Sequence, residues 1–241
     1  MNILLTNDDG YYAPGLRAAL KAIRGLGRVH VVAPKTECSA CSHRISLRQA
    51  ISVERVTLDH QGPVFAVDGT PADCVRLAIA HLIAERIDLV VSGVNQGANS
   101  GVDIFYSGTV AGAREAAILN IPSIAVSQAL RSGVETNWED VAEITGHLVQ
   151  MLKGERVPGP GFWSVNLPAP IPADARSRIR RVPLEPVPPA LQFERIEHEG
   201  GRWEFRETGS YWTRAAAAPT DYTTIRDGDI AVSPVPLYGQ F

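Results

Sequence analysis

The stretch Ile3-Leu4-Leu5-Thr6-Asn7-Asp8-Asp9-Gly10 decides how this sequence is interpreted. Its first four residues form a short apolar run with the length and composition of a buried strand. Asp8 and Asp9 follow almost at once, at the carboxyl end of that strand, which is where open parallel sheets bind their ligands. The alternative is that the two aspartates only cap a helix that begins near Pro14.

Strand-like runs alternate with helical patterns through the first two thirds of the chain. We expect strands at 3–6, 29–33, 87–92, 123–127 and 162–166, a helix that starts at Thr70-Pro71, and helices at about 109–119 and 138–152. Residues 45–67 are expected to form an excursion from this alternation. The pattern predicts an α/β fold in which helices cover both faces of a mostly parallel sheet.

The composition changes after the last of these helices. Residues 154–190 hold nine prolines, and 8 of the 16 aromatic residues lie in 193–241. We therefore divide the chain into an α/β body, 1–153, and a second part, 154–241, with a proline-rich connector, the final core strands and an aromatic-rich β extension. Alternation at 202–206 predicts a strand in that extension, which packs either on its own body or, as we favour, on a neighbouring subunit.

Charge and hydropathy exclude two classes of protein. The formal net charge of −3 gives no reason to expect binding to duplex nucleic acid. No apolar run approaches the roughly 20 residues that a membrane-spanning helix needs, and the N-terminus has no basic region of a signal peptide. Three cysteines, among them Cys38 and Cys41 in a lone C-x2-C, form no disulfide framework and only a weak zinc signal. We expect a cytoplasmic protein.

Polar loops follow two further strands of the expected sheet. Ser39 and Ser42 come after the strand at 29–33, and Asn95 and Asn99 come after the strand at 87–92. These loops should meet Asp8 and Asp9 at one edge of the sheet. Adjacent carboxylates raise each other's pKa, and a divalent cation removes that cost. Hydroxyl and amide oxygens would complete an all-oxygen shell, which suits Mg²⁺, Mn²⁺ or Ca²⁺ better than zinc.

A second cluster of small polar residues precedes the helix at 109–119. Ser107, Gly108 and Thr109 could form a cradle for a phosphate group from backbone N–H groups and hydroxyls, or they could be an ordinary helix start. Asn99 could face a ligand or close its own turn. The segment Val67-Asp68-Gly69-Thr70 is interpreted as a turn that leads into a helix, because Ala66 stands where an aspartyl-phosphate phosphatase would carry its first acid.

Other catalytic motifs are missing from the sequence. No Gly-x-Ser-x-Gly elbow of a serine hydrolase is present. Neither a Walker A motif nor a Gly-x-Gly-x-x-Gly after the first strand occurs, so ATP-dependent phosphoryl transfer and dinucleotide redox chemistry lose support.

Four ordered motifs resemble the SurE family of 5′/3′-nucleotidases. They are residues 3–10, Gly69-Thr70-Pro71-Ala72-Asp73-Cys74-Val75, Ser92-Gly93-Val94-Asn95-Gln96-Gly97-Ala98-Asn99 and Tyr106-Ser107-Gly108-Thr109-Val110-Ala111. Fainter matches follow at Thr220-Asp221 and at 228–234. The resemblance implies a Rossmann-like three-layer body and a C-terminal β extension exchanged between subunits of a homodimer or homotetramer.

The resemblance also implies a reaction and a cofactor. The reaction is hydrolysis of nucleoside 5′- and 3′-monophosphates to nucleoside and phosphate, in some members also of short polyphosphate. The cofactor is one divalent cation per subunit, held by the residues that match the family's ligands, Asp8, Asp9, Ser39 and Asn95. Asp8 and Asp9 would carry the chemistry, while Ser42, Asn99, Ser107, Gly108 and Thr109 would bind the phosphate.

The second loop departs from the family pattern. The family usually has Asn and then Ser-Gly-x-Ser, whereas this chain has Glu37-Cys38-Ser39-Ala40-Cys41-Ser42. Ala40 would restrict the loop if it needs positive φ, and Glu37 adds an acid near an anionic substrate. Two rival functions stay open. One is a nucleotide-sensing module that binds without turnover, and the other is a nucleoside hydrolase, which also uses an Asp-rich site after its first strand.

Overall fold

The computed structural model describes residues 1–58, 63–213 and 215–238. Short 3-10 turns apart, its elements in chain order are β1 (Asn2–Thr6), α1 (Pro14–Ile23), β2 (Arg28–Pro34), β3 (Val53–Thr57), β4 (Pro63–Val67), α2 (Pro71–Leu77), β5 (Leu89–Gln96), α3 (Gly108–Ile118), β6 (Ser123–Gln128), α4 (Trp138–Leu152), β7 (Gly161–Leu167), β8 (Ile179–Arg181), β9 (Phe193–Glu197), β10 (Trp203–Glu207), α5 (Asp221–Arg226) and β11 (Ile230–Pro236). A single π-helical turn, Ala78–Leu82, extends α2.

Nine of these strands form one sheet in the order β3-β4-β2-β1-β5-β6-β7-β11-β8. The six strands from β4 to β7 in this order run parallel, whereas β3 and β11 pair antiparallel with their neighbours β4 and β7. The chain moves outward from β1 to β2 and β4, then returns to place β5 on the other side of β1. The strand order therefore switches between β1 and β5, where an open α/β sheet binds its ligand.

Helices cover both faces of this sheet, and β1 shows how. Ile3 and Leu5 pack into a core cluster with α1 and α4, while Leu4 packs into a second cluster on the opposite face with α2 and α3. Successive side chains of a strand point to opposite faces, so the uniformly apolar run of β1 fits a strand covered on both sides. This confirms the predicted three-layer α/β class.

Local sequence signals explain the start of α2. Thr70 is the N-cap, and its hydroxyl accepts a hydrogen bond from the backbone N–H of Asp73 at 3.2 Å. The carboxylate of Asp73 accepts from the backbone N–H of Thr70 at 3.0 Å, which completes a capping box, and Pro71 occupies the first turn. The prediction that Asp68-Gly69 forms a turn feeding a helix is confirmed.

Two expected boundaries differ from the structure. β5 continues to Gln96, so Asn95 lies within the strand rather than in the loop after it. The segment expected to be an excursion, 45–67, adds β3 and β4 to the edge of the sheet. The polar ends of β5 and the exposed edge position of β3 weaken the apolar pattern from which a strand is recognised.

The second part of the chain is divided between the sheet and a separate hairpin. A boundary at 153/154 falls between α4 and β7, which belong to the same core. β9 and β10 form an antiparallel hairpin outside the main sheet, and Phe193, Trp203 and Phe205 on it are each more than half exposed. Within the part of the chain that is described, we find no helix of the length and apolarity that crossing a membrane requires.

Candidate functional site

Asp8 lies at the switch point between β1 and β5 and is almost fully buried. The hydroxyl of Thr109 donates a hydrogen bond to Asp8 Oδ1, and the backbone N–H of Thr109 also donates to this side chain. The first turn of α3 is therefore aimed at the carboxylate of Asp8. Burial raises the pKa of Asp8, although the two donors from Thr109 oppose this effect.

Gly108 makes this close approach possible. A Cβ atom at this position would lie 2.8 Å from Asp8 Cβ and 2.9 Å from Cys41 Sγ, closer than side chains pack. The start of α3 can approach both the acid and the second loop only because residue 108 has no side chain.

Asp9 is held less firmly than its neighbour. It is partly buried, and its Oδ2 accepts a hydrogen bond from the backbone N–H of Gln96 at 3.2 Å. Burial and then the charge of Asp8 raise the pKa of Asp9 from 3.8 to about 6, and Glu37 contributes in the same direction. In the described ranges, 1–58, 63–213 and 215–238, neither Asp8 nor Asp9 forms an ion pair with a basic side chain.

The structure speaks against the capping interpretation of the acid pair. Helix α1 has Ala13 as its N-cap, and no side chain donates to or accepts from its first turn as a cap. Asp8 and Asp9 instead face α3 and the end of β5. Two mutually repelling carboxylates without a structural role at a helix end require another explanation.

The second loop brings Ser39 and Ser42 to different places. Ser39 is exposed, and its hydroxyl donates to Glu37 Oε1 at 2.7 Å. Ser42 is also exposed, but it is tied to the segment before α3: its hydroxyl donates to the carbonyl of Phe105 at 2.6 Å, and its backbone N–H donates to the carbonyl of Tyr106 at 2.9 Å. The loop does need positive φ, because Ala40 has φ of +53° and Ser42 has φ of +56°.

Asn95 and Asn99 also differ in their surroundings. The amide nitrogen of Asn95 donates to the carbonyl of Gly97 at 2.8 Å, which leaves its side-chain oxygen as the group available to a cation. Asn99 is buried and joined to two neighbouring strands: its amide nitrogen donates to Ser127 Oγ at 2.8 Å, and its backbone N–H donates to Asn166 Oδ1 at 2.8 Å. Asn99 is thus fixed by β6 and β7 and does not close its own turn.

Ser107 acts as a helix N-cap in this structure. Its hydroxyl accepts from the backbone N–H of Val110 at 3.1 Å. The hydroxyl of Thr109 is engaged with Asp8, whereas the Ser107 hydroxyl only accepts and keeps its own O–H to donate to an anion. The backbone N–H groups of Thr109 and Val110 already donate to Asp8 and to Ser107 Oγ.

The available donors are those of a hard cation. Two carboxylates, a hydroxyl and an amide oxygen are oxygen ligands of the kind that Mg²⁺, Mn²⁺ and Ca²⁺ accept. Among the described residues, no group of three or more His, Cys, Asp and Glu side chains is arranged to hold a metal ion. The cysteines near Asp8 do not form a soft-metal site with the acids, and all three cysteines are free.

Comparison with known proteins decides the family. The model of the family described as survival protein SurE matches residues 3–184. The chain belongs to the SurE family. The 5′-nucleotidase SurE of Rhodopirellula baltica is 37% identical over 240 residues, covering 98% of this chain and 92% of that protein. The 5′-nucleotidase SurE of Desulfatibacillum aliphaticivorans is 40% identical over 237 residues, with 98% and 92% coverage.

A solved SurE structure supports the same assignment. The crystal structure of the SurE protein from Aquifex aeolicus superimposes with a TM-score of 0.84 at 32% identity, and covers 100% of this chain and 95% of that chain. The resemblance found in the four sequence motifs is confirmed by both the family model and this structure.

Sequence reasoning missed three features of this SurE-family site. It assigned Thr109 to the phosphate, whereas its hydroxyl binds Asp8. It did not use Gln96, whose backbone N–H binds Asp9. It also overlooked Tyr12 and Tyr106, which are each 62% exposed. Tyr12 follows Asp9 by three residues, and Tyr106 directly precedes Ser107. The adjacency of these tyrosines to two motifs was a signal that could have found them.

Proposed function

We propose that this protein is a metal-dependent phosphomonoesterase that hydrolyses nucleoside 5′- and 3′-monophosphates to nucleoside and phosphate. The observation that carries the proposal is the pair Asp8 and Asp9, which lie at the switch point of the sheet without a basic partner among the described residues, beside the N-terminus of α3. The names of its relatives, 5′-nucleotidase SurE, support a nucleotide substrate.

The donor set fits one divalent cation per subunit. Asp8 and Asp9 would hold it with Ser39 and Asn95, and Mn²⁺ or Mg²⁺ suits this set, with Ca²⁺ as a third choice. When bound, such a cation polarises a phosphate oxygen and lowers the pKa of a coordinated water molecule. Burial is the main cause of the raised pKa values of both aspartates, and the charge of Asp8 adds to it for Asp9, so a nearby positive charge would favour the ionised form of each.

The two aspartates have different surroundings, and we assign them different roles. Thr109 donates twice to Asp8, so Asp8 has a fixed orientation and serves as the constant ligand. Asp9 has one longer hydrogen bond from Gln96 and is partly exposed, so it can reach an incoming water molecule. We assign Asp9 as the group that accepts the proton of the attacking water.

The phosphate would lie between the start of α3 and the end of β5. We assign Asn99, the hydroxyl of Ser107 and the backbone N–H of Gly108 as contacts of its oxygens. We keep Thr109 in the site as the residue that orients Asp8. Ser42 donates hydrogen bonds to the carbonyls of residues 105 and 106. We therefore propose that it supports the loop and acts on the phosphate only indirectly.

Exposed aromatic rings beside the site suit the nucleoside part of the substrate. Tyr12 follows Asp9 by three residues, and Tyr106 precedes Gly108 by two, so both lie close in the chain to residues at the acid pair. Both side chains are mostly exposed. Stacking of a base on an aromatic ring contributes about 1–3 kcal/mol per base in nucleic-acid complexes. We propose these rings as contacts of the nucleobase.

One observation favours a second candidate, a nucleotide-binding module without turnover. Ser39 donates to Glu37 rather than standing free for a cation, and Ala40 holds the same loop in a conformation that glycine adopts more readily. If the loop remains in this state, the cation lacks one ligand. The protein would then bind a nucleotide without hydrolysing it, and Glu37 and Ala40 would be the cause.

The test measures release of inorganic phosphate from a panel of nucleoside 5′- and 3′-monophosphates with Mn²⁺, Mg²⁺ or EDTA. Metal-dependent release supports the phosphomonoesterase. Tight nucleotide binding by folded protein without any release supports the binding module, and Glu37→Asn is then the first variant to assay. Release of free base in place of phosphate would show a nucleoside hydrolase.

We further propose a homodimer or homotetramer in the cytoplasm. The β9–β10 hairpin supports the assembly, since its strands lie outside the main sheet and expose Phe193, Trp203 and Phe205. An apolar surface of this kind is typical of a contact between subunits. Sedimentation of the full chain tests the oligomer.

A further inference from the structure

Glu115 is a buried carboxylate to which the proposed reaction assigns no role. It lies in α3 and is 3% exposed. His43 Nε2 lies 2.8 Å from Glu115 Oε2, and Arg76 Nη1 donates to Glu115 Oε1 at 2.9 Å. Burial alone raises the pKa of Glu115, but the hydrogen bonds from His43 and then Arg76 outweigh it, and the net pKa lies below the ordinary value. The carboxylate is therefore held by one partner from α2 and one from the second loop.

The second loop, residues 35–52, depends on such contacts because it contains no helix or strand. Four hydrogen bonds attach its backbone to the rest of the protein. The N–H of Cys38 donates to the carbonyl of Asp8 at 2.7 Å, and the N–H of Ser42 donates to the carbonyl of Tyr106 at 2.9 Å. The carbonyl of Arg44 accepts from the hydroxyl of Thr70 at 2.7 Å, and the N–H of Ser46 donates to Asp73 Oδ1 at 2.8 Å. His43 adds an attachment to the middle of α3, through its side chain.

This attachment sits close to Ser39 in the chain. Only residues 40–42 separate Ser39 from His43, and two of them, Ala40 and Ser42, have positive φ, so the backbone between them turns tightly. A displacement of His43 would therefore be transmitted to Ser39 over a short path. Helix α3 meanwhile fixes Asp8 through Thr109 in its first turn. One helix thus holds both Asp8 and the loop that carries Ser39.

We propose that His43 and Glu115 are positioning residues that set the distance between Ser39 and Asp8, so that both can bind the same cation. The inference rests on the proposed function, because it takes Asp8 and Ser39 as ligands. Glu115 is the anchor on α3, and His43 is the connection to the loop. Arg76 stabilises the buried charge of Glu115 from α2 and not from the loop.

The chain offers a matched control for this idea. His43→Ala and Arg76→Ala each remove one partner of the same carboxylate, so a purely structural role predicts similar effects for both. A positioning role predicts that only His43→Ala alters cation binding. His43→Gln retains an N–H donor at a similar reach and should restore the contact.

The experiment measures Mn²⁺ binding to the full chain by isothermal titration calorimetry, without substrate, together with thermal unfolding and the kinetics of phosphate release. We expect His43→Ala to weaken Mn²⁺ binding by about tenfold, as changes behind a metal ligand commonly do. The Mn²⁺ affinity of His43→Gln should stay within roughly threefold of that of the unaltered protein, well short of the tenfold loss expected for His43→Ala. Arg76→Ala should keep Mn²⁺ affinity while lowering the melting temperature. In His43→Ala, saturating Mn²⁺ should recover most of kcat.

The outcomes separate this inference from the proposed function. If the unaltered protein binds Mn²⁺ and releases phosphate while His43→Ala binds Mn²⁺ equally well, the positioning role is wrong and the function stands. Equal losses of affinity in His43→Ala and Arg76→Ala would overturn it in the same way. If the unaltered, folded protein binds no Mn²⁺, both the proposed function and the inference fail.

Discussion

Replacing Asp9 by Asn should stabilise the metal-free protein while it abolishes phosphate release. Asp9 is partly buried beside Asp8, and burial followed by the charge of Asp8 raises its pKa from 3.8 to about 6. An asparagine of nearly the same shape removes the charge, and its side-chain oxygen can still accept the hydrogen bond from Gln96. The variant therefore removes a repulsion without opening a cavity.

The magnitude follows from the pKa difference. A change in pKa from 3.8 to about 6 corresponds to about 3 kcal/mol, at about 1.4 kcal/mol per pH unit. Because Asp9 is partly exposed, solvent screening reduces the expected gain to roughly 1–2 kcal/mol. For a chain of this size that is an increase in Tm of about 2–8 °C.

The sign of the pH dependence is fixed by the direction of the pKa change. The folded protein binds a proton at Asp9 more tightly than the unfolded chain, so ionised Asp9 destabilises the fold above about pH 6. As the pH falls from about 6 to about 4, Asp9 becomes protonated in the folded state and this cost disappears. The advantage of Asp9→Asn should therefore be present at pH 7.5 and lost near pH 4.

Thermal unfolding in EDTA at pH 7.5 and at pH 4 measures both effects. Asp227→Asn is the control, since Asp227 is 64% exposed and lies beside Arg226, and its effect should be within about 0.5 kcal/mol. Mn²⁺ should stabilise the unaltered protein and stabilise Asp9→Asn much less. A metal-free Asp9→Asn protein that is less stable than the unaltered one at pH 7.5 would refute the reasoning.

Three other changes test the site. Asp8→Asn should abolish phosphate release in a protein that remains folded by circular dichroism, and near-normal turnover would contradict its role as a ligand. Ala40→Gly should raise the free energy of unfolding by roughly 0.5 kcal/mol. An alanine in the left-handed conformation costs about 1–2 kcal/mol, and the flexibility of glycine in the unfolded chain offsets part of that gain. A lower Tm would show that the loop does not need this conformation. Tyr106→Ala should lower kcat/KM for AMP by about tenfold, the scale of one stacked base, but leave ribose 5-phosphate unchanged; equal losses for both substrates would exclude base stacking.

The sequence predicted the fold because the fold depends on local patterns, and the same patterns indicate the sheet edge that we propose as the site. The apolar run of β1 and the Thr70-Pro71 helix start are signals that act over a few positions, and both are found where they were expected. The prediction of the site residues was limited for the same reason. Periodicity and capping rules describe which residues share an element, and they do not describe which hydroxyl reaches which carboxylate across elements.

Thr109 and Glu115 show where such reasoning stops. Both are polar residues inside α3, and a helical pattern would place them on a solvated face or at an ordinary start. The structure buries both, because α3 packs against the sheet on one side and against the second loop and α2 on others. Their partners are about 100 and 70 residues away in sequence, respectively, so no local signal could have paired them.

Helix α3 makes both of these contacts, Thr109 with Asp8 and Glu115 with His43, so one rigid element holds both loops. A divalent cation needs its ligands at fixed separations, and Asp8 and Ser39 belong to different loops that could move independently. Thr109 attaches one loop to the first turn of α3, and Glu115 attaches the other, through His43, to the same helix. A rigid helix is a more reliable spacer than either loop. If the site binds a cation as proposed, helix α3 sets the distance between Asp8 and Ser39, and the motif Ser107-Gly108-Thr109 contributes as much to holding the cation's ligands as to binding the phosphate.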